Sequence, residues 1–239
     1  MTLAPLSLPV PLQAVLFDLD GTLADTAPDL AAAANKMRTA RGLAPLPLAA
    51  LRPLASAGAR GLLGAAFEIK PADPGYEAMR LEFIANYAAD ICTLSSLFDG
   101  MAGLLLELSA RQVPWGVVTN KATHLTEPLA ELLGLAADAG CIICGDTTPH
   151  SKPHPAPLLH AAQILGIAPA AIVYVGDDLR DIQAGQAAGM QTIAAAYGYC
   201  GDSLAPQAWG ADHVALDIAH LKALLADIQG TAGSAGQTA

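Results

Sequence analysis

Short unbroken apolar runs alternate with longer stretches of helical periodicity along this chain. Ala14-Val15-Leu16-Phe17 is apolar throughout and ends in Asp18, the pattern of a short strand buried on both faces. The next such run, Trp115 to Thr119, comes about a hundred residues later. Between them the pattern is helical. It predicts a first helix over 26–41, with Asp25 or Thr26 as N-cap, Pro28 in the first turn and Gly42 past the end. Two shorter helices are predicted over 47–55 and 59–69, separated by Gly58. A longer one follows over 74–91, where Tyr76, Met79, Phe83 and Tyr87 are spaced for one face.

From about residue 96 the two patterns interleave. Helices predicted over 100–111, 123–133, 155–165 and 179–188 lead to strands over 115–119, 141–144, 171–175 and 190–194, and a last helix is predicted over 217–229. Short apolar strands alternating with helices imply an α/β fold, a Rossmann-like parallel sheet core with helices on both faces. Strand 14–17 belongs with the later strands. The predicted organisation is therefore a core of residues 1–26 and 96–230, an inserted all-helical cap of 27–95, and a small, polar, disordered tail at 231–239.

Composition narrows the partners. Apolar residues make up 53% and charged residues 14%, which excludes a chain too polar to fold. With 12 Lys+Arg against 22 Asp+Glu the net charge is −10, so no broad basic surface is available for nucleic acid or an anionic membrane. No run approaches the roughly 20 apolar residues of a membrane span. Residues 1–12 carry Pro5, Pro9 and Pro11 and no Lys or Arg, unlike a secretory leader. The expected location is the cytoplasm, and the expected assembly is a monomer or weak homodimer. Cys141 and Cys144 fit C-x-x-C, but on a strand they face opposite sides, so they are expected to be free buried thiols.

In parallel sheets ligands bind beyond the carboxyl ends of the strands. Strand 14–17 runs into Asp18-Leu19-Asp20-Gly21-Thr22. Alternation points Asp18 and Asp20 the same way, and adjacent carboxylates repel unless a cation lies between them. An acidic turn after a strand has the same appearance. Thr119-Asn120 ends the next strand with a hydroxyl and an amide, fit to hold an anion or simply to exit a strand. Lys152 in Ser151-Lys152-Pro153 precedes a helix start, where the dipole prefers anions, and that misplacement argues for a function. Strand 171–175 ends in Gly176-Asp177-Asp178-Leu179-Arg180-Asp181. These acids suit a helix N-terminus, but Asp177 is also placed as a third ligand for a metal at the Asp18/Asp20 turn. Mg²⁺ prefers such oxygen ligands and keeps waters that a phosphate replaces.

In their order, each after a βα strand, these four motifs resemble the signature of the haloacid dehalogenase superfamily, and the insertion resembles its helical cap class. The resemblance implies that Asp18 is a nucleophile forming an aspartyl phosphate and Asp20 the general acid and then base. It implies Mg²⁺ held by the Asp18 carboxylate, the Asp20 backbone carbonyl and Asp177, with Thr119, Asn120 and Lys152 on the phosphoryl oxygens. Asp181 would orient Lys152 or cap the helix, Asp178 would act through a metal-bound water, and Arg180 would be a surface or helix residue. A halide leaving group needs no proton, so Asp20 favours phosphoryl chemistry over dehalogenation. The loop Ser56-Ala57-Gly58-Ala59-Arg60 would face the nucleophile when the cap closes, and Arg60 would bind a substrate carboxylate or remain a solvated arginine at a helix start. The closest match is to the phosphoglycolate-phosphatase-like family. Gly58-Ala59-Arg60, Arg80-Leu81-Glu82-Phe83 and Trp209-Gly210-Ala211-Asp212 resemble its branch acting on N-acetylmuramic acid 6-phosphate in cell-wall recycling. The implied activity is a Mg²⁺-dependent phosphatase for a small carboxylated phosphomonoester, that sugar phosphate or 2-phosphoglycolate. A phosphomutase and a non-catalytic phosphate-binding module are the other readings of the same motifs.

Overall fold

The computed structural model describes residues 11–201 and 204–234. The strands are β1 (Ala14–Phe17), β2 (Ala24–Asp25), β3 (Ser96–Leu97), β4 (Trp115–Val118), β5 (Ile142–Ile143), β6 (Ile172–Gly176), β7 (Gln191–Ala195) and β8 (His213–Ala215). Six of them form one sheet in the order β5-β4-β1-β6-β7-β8, with every pairing parallel. β1 lies between β4 and β6, and Phe17 is in register with both Val117 and Val175. That register sets the residues following the three strands side by side at one edge, where a doubly wound sheet binds its ligand.

Both sheet faces are covered, as the continuous apolar runs require. Val15, Phe17, Val117 and Val175 belong to one cluster with residues of the helices α5 (Met101–Ala110) and α9 (Ile218–Ser234). Leu16, Val118 and Tyr174 face the other way, with Leu158 of α7 (Ala156–Leu165) and Ala184 of α8 (Leu179–Ala187). The remaining helix of the sheet region, α6 (Thr123–Leu132), follows β4.

The segment between β2 and β3 holds α1 (Ala27–Ala40), α2 (Leu48–Leu51), α3 (Gly58–Phe67) and α4 (Tyr76–Ala89). Met37, Leu51, Leu63 and Phe83 are buried there, in a cluster continuous with one sheet face. Its two crossings run together, since Asp25 pairs with Ser96 in the β2–β3 ladder. Asp29, buried in the first turn of α1, ties them further by accepting from Leu94 N at 3.0 Å, Ser95 N at 2.8 Å and Ser95 Oγ at 2.6 Å.

The structure departs from the sequence expectations in three places. The helix expected over 47–55 divides into α2 and a 3-10 turn over Arg52–Ala57, because Pro53 lacks the N–H that would continue an α-helix. β2, β3 and β8 are two or three residues long, too short for alternation to register. The last helix continues to Ser234, so residues 231–234 of the expected disordered tail are helical; one interior glycine such as Gly230 costs only about 1 kcal/mol. Residues 235–239 of that tail lie outside the described residues. Among the described residues no helix is long and apolar enough to cross a membrane. All four cysteines are free, with Cys141 and Cys144 buried.

Candidate active site

Asp18 leaves β1 at the centre of the carboxyl edge and meets a buried lysine. Lys152 Nζ lies 2.9 Å from Asp18 Oδ1 and 2.8 Å from Asp181 Oδ1, and it donates to Val118 O at 2.9 Å and to Tyr174 Oη at 2.8 Å. The lysine side chain is 2% exposed. Burial alone would lower its pKa, but Asp18 and Asp181 outweigh burial and raise it, so the charge is retained. Tyr174, itself fully buried, donates toward Val118 O at 3.0 Å and Asp181 Oδ1 at 3.1 Å. A tyrosine inside the sheet thus braces the lysine and one of its carboxylates.

Asp177 follows β6 and is completely buried. Its Oδ1 accepts from Thr22 Oγ1 at 2.9 Å, and its Oδ2 accepts from Tyr199 N at 2.9 Å and Ser56 Oγ at 3.3 Å. Backbone packs tightly around it. Gly21 has φ +83°, and a Cβ there would stand 2.1 Å from Asp177 Oδ2. A Cβ on Gly198 would stand 2.3 Å from Asp177 Cβ. These glycines let the β1 turn and the segment after β7 close on the carboxylate.

Carboxylate oxygens of Asp18, Asp177 and Asp181 lie within 4.8 Å of one another. Burial pushes the Asp18 carboxyl up to about 7 although Lys152 opposes the shift, and burial together with Asp18 and Asp181 holds Asp177 well above the ordinary carboxylate range. Lys152 alone does not offset this concentration of acid. A buried, oxygen-only donor set short of positive charge fits a hard divalent cation. Asp181 is committed to Lys152, Tyr174 and the Asp178 backbone N–H at 3.0 Å, whereas Asp18 meets Lys152 and Leu19 N through Oδ1 alone. Both roles expected of Asp181, orienting the lysine and capping the helix, are therefore seen in one side chain.

Asp20 is held at both oxygens. Thr26 Oγ1 donates to Oδ1 at 2.5 Å, and Lys121 Nζ lies 3.1 Å from Oδ2. Lys121 also donates to Tyr87 Oη at 3.2 Å and sits 4.6 Å from the centre of that ring, so α4 of the insertion reaches the second aspartate through one lysine. Tyr199 Oη gathers the neighbouring turn, accepting from Thr26 N at 2.7 Å and Ala27 N at 2.8 Å and donating to Asp25 Oδ1 at 3.1 Å.

Asp18, Asp20, Thr119, Asn120 and Lys152 all line one cavity of about 310 Å³, closed on the far side by Ser56–Ala59 and α4. Thr119 is buried, and its Oγ1 accepts from Lys121 N at 3.2 Å. The Asn120 side chain turns to the lysine loop. Its amide spans the Lys152 backbone, accepting from Lys152 N and donating to Lys152 O, both at 3.0 Å. Asn120 thus fixes the lysine loop against the β4 exit.

Arg60, the expected carboxylate-binding residue, is exposed and outside the cavity lining, so the fold does not bring it together with the other predicted site residues. α3 already begins at Gly58, so Arg60 lies within its first turn on the side turned to solvent, while the preceding residues line the cavity. Arg180 is the helix residue expected, in the first turn of α8, and it does more than that. It forks onto Asp178 at 2.8 and 2.9 Å and donates from Nη2 to Ser56 O at 2.8 Å, clasping the insertion to the core. Burial works to raise the Asp178 carboxyl, but the Arg180 fork prevails and lowers it. Asp178 also caps α8 by accepting from Arg180 N at 2.9 Å, so it is occupied as a cap and ion-pair partner. Lys121 and Tyr174 were not singled out from sequence, and Arg180 was read only as a surface or helix residue. Their roles depend on which strand ends and which helix the fold brings to them.

A doubly wound parallel sheet that gathers buried acids and one lysine at the ends of its central strands defines a class, the hydrolases of phosphoric monoesters built on such a core. The chain belongs to the haloacid dehalogenase-like hydrolase family, whose model matches residues 12–189. It is 46% identical over 203 residues to the N-acetylmuramic acid 6-phosphate phosphatase of Pseudomonas putida, covering 85% of this chain and 91% of that one. It is equally 46% identical over 200 residues to a phosphoglycolate phosphatase of Xanthomonas campestris, covering 84% and 90%. Among solved structures, a predicted phosphoglycolate phosphatase from Haemophilus somnus superposes with a TM-score of 0.78 at 27% identity, covering 89% of this chain and 97% of that one.

Proposed function

We propose that this phosphatase is Mg²⁺-dependent, works through an aspartyl phosphate on Asp18, and hydrolyses N-acetylmuramic acid 6-phosphate. The observation that carries the substrate reading is the cavity. Its volume of about 310 Å³ and its apolar wall of Leu30, Phe83, Ile84 and Leu125 suit an acylated sugar. 2-Phosphoglycolate has no apolar group for that wall, and would leave most of the space to water. It stays the second reading, because relatives carrying that name match this chain as well as those named for the sugar phosphate.

The substrate phosphate enters where Asp18, Lys152 and the Thr119 hydroxyl converge. Asp18 Oδ attacks phosphorus as the bond from phosphorus to the sugar oxygen breaks, and Asp20 delivers a proton to that oxygen. Asp20 then takes a proton from water, the water oxygen attacks phosphorus, and inorganic phosphate leaves with the Asp18 carboxylate restored. Lys152, fixed by Asp181, Tyr174 and Asn120, places its positive charge beside the transferring group. Asp18, Asp177 and the Asp20 backbone carbonyl would hold Mg²⁺, which when bound neutralises the charge between nucleophile and phosphate. Residues 27–95 act as a cap that excludes water and selects substrate, with the Arg180–Ser56 contact as its clasp. Phosphate release from N-acetylmuramic acid 6-phosphate, 2-phosphoglycolate and glucose 6-phosphate, with Mg²⁺ and after chelation, tests this reading. A higher kcat/KM for 2-phosphoglycolate than for the sugar acid reverses the substrate assignment, and full turnover after chelation removes the metal.

A further inference from the structure

The cavity has four Lys or Arg side chains in its lining: Arg80, Lys121, Lys152 and Arg180. Three are bound to the reaction end or to the clasp. Lys152 holds Asp18, Lys121 holds Asp20, and Arg180 holds Asp178 and Ser56 O. Arg80 is on α4, two helical turns before Tyr87, or about 10 Å along the axis. Tyr87 marks the reaction end, since its hydroxyl accepts from Lys121 beside Asp20. Phe83 and Ile84, between the two, supply apolar wall.

Arg80 is oriented but not used up. Its Nε and Nη2 engage Glu77 at 2.8 and 2.7 Å, one turn back on the same helix, while no partner for Nη1 is found among the described residues. Glu77 is 64% exposed, so its hold is a solvated one that a ligand can share or replace. Ordinary bond lengths place the carboxylate carbon of 2-phosphoglycolate only about 4 Å from phosphorus, within the reach of Lys121. In a hexose 6-phosphate with a lactyl ether across the ring, that separation is roughly 8–10 Å, the scale of the offset between Tyr87 and Arg80.

We propose that Arg80, in place of Arg60, is the specificity residue that binds a substrate carboxylate carried across a sugar ring from the phosphate. The inference rests on the sugar-phosphate reading above, and its test is separable from that reading. Inhibition of p-nitrophenyl phosphate hydrolysis by N-acetylmuramic acid 6-phosphate and by N-acetylglucosamine 6-phosphate, which lacks the carboxylate, gives a preference ratio whether or not either is turned over. The wild-type ratio is expected to be tenfold or more in favour of the carboxylated sugar. Arg80→Met should bring it to about one and leave the constant for N-acetylglucosamine 6-phosphate within a factor of two. Glu77→Gln breaks the same ion pair but keeps the guanidinium, and should preserve or increase the ratio. A ratio unchanged in Arg80→Met, no preference in the wild type, or a Glu77→Gln ratio as low as that of Arg80→Met overturns the assignment. Phosphate release from the sugar acid is scored separately, so a protein that prefers it as a ligand but does not hydrolyse it fails the substrate reading alone.

Discussion

With Mg²⁺ held at the acidic cluster as proposed, its chelation should make the protein's stability fall steeply with pH. Without a cation, Asp18, Asp177 and Asp181 share a space of 4.8 Å with Lys152 as the neighbouring ammonium. Burial raises Asp18 to about 7 and, helped by Asp18 and Asp181, raises Asp177 as well. A carboxyl with a folded pKa above its unfolded value holds its proton more tightly in the native state. Its contribution is complete below the unfolded value of 3.8 and is lost as pH rises towards about 7. For Asp18 the ceiling is about 4 kcal/mol, and at roughly 2–4 °C per kcal/mol this is on the order of 10 °C in Tm. Mg²⁺ held there as proposed would bind the ionised carboxylates and oppose the loss, contributing about 2.7 kcal/mol at a concentration near 100 times its Kd. Calorimetric melting between about pH 5 and about pH 8, in EDTA and in Mg²⁺, reads the difference.

Asp177→Asn isolates the site from every other titrating group. The Asn oxygen still accepts from Tyr199 N, and the Thr22 hydroxyl can turn to accept from the new amide. The variant should therefore fold, melt higher than the wild type in EDTA at neutral pH, show a flatter EDTA profile, and lose the Mg²⁺ shift. Equal slopes in EDTA and Mg²⁺, or a full Mg²⁺ shift in Asp177→Asn, would refute the reasoning.

Gly21→Ala puts a methyl group 2.1 Å from Asp177 Oδ2 at φ +83°, so Tm should drop and the Mg²⁺ shift should shrink; wild-type values of both would contradict the packing. Tyr174→Phe removes the hydroxyl shared by Lys152 and Asp181, and chemical denaturation should show a loss of about 1–3 kcal/mol. Asp20→Asn should cost about 10²–10⁴ in kcat on a sugar phosphate but far less in the first step on p-nitrophenyl phosphate, whose leaving group needs no proton.

The acids and the threonine at the strand ends were legible because each sits next to a pattern read locally. An apolar run ends in Asp18, another in Thr119, a third in Asp177, and a parallel sheet places such ends together. The substrate end was not. Arg60 and Arg80 both lie in the helical insertion, and only the helix boundaries and the docking of α4 turn one to solvent and the other to the cavity. Asn120 was read by type, as a donor for phosphate, while the fold spends its amide on the Lys152 backbone. Lys121 adjoins that motif, but its bond to Tyr87 spans 34 residues and belongs to tertiary structure. The short β2 and β8 carry too few residues for any period, although β2 fixes where the insertion leaves the core.

Trapping the phosphoenzyme tests the central claim, that Asp18 carries the phosphoryl group. Asp20→Asn slows attack by water more than attack by Asp18 when p-nitrophenyl phosphate is the substrate. Rapid mixing with Mg²⁺ should then give a burst of p-nitrophenolate near one equivalent per enzyme. Acid quench and peptide mapping should locate the phosphate on the peptide containing Asp18. A protein that turns over without a burst, or a label on any other residue, contradicts the account.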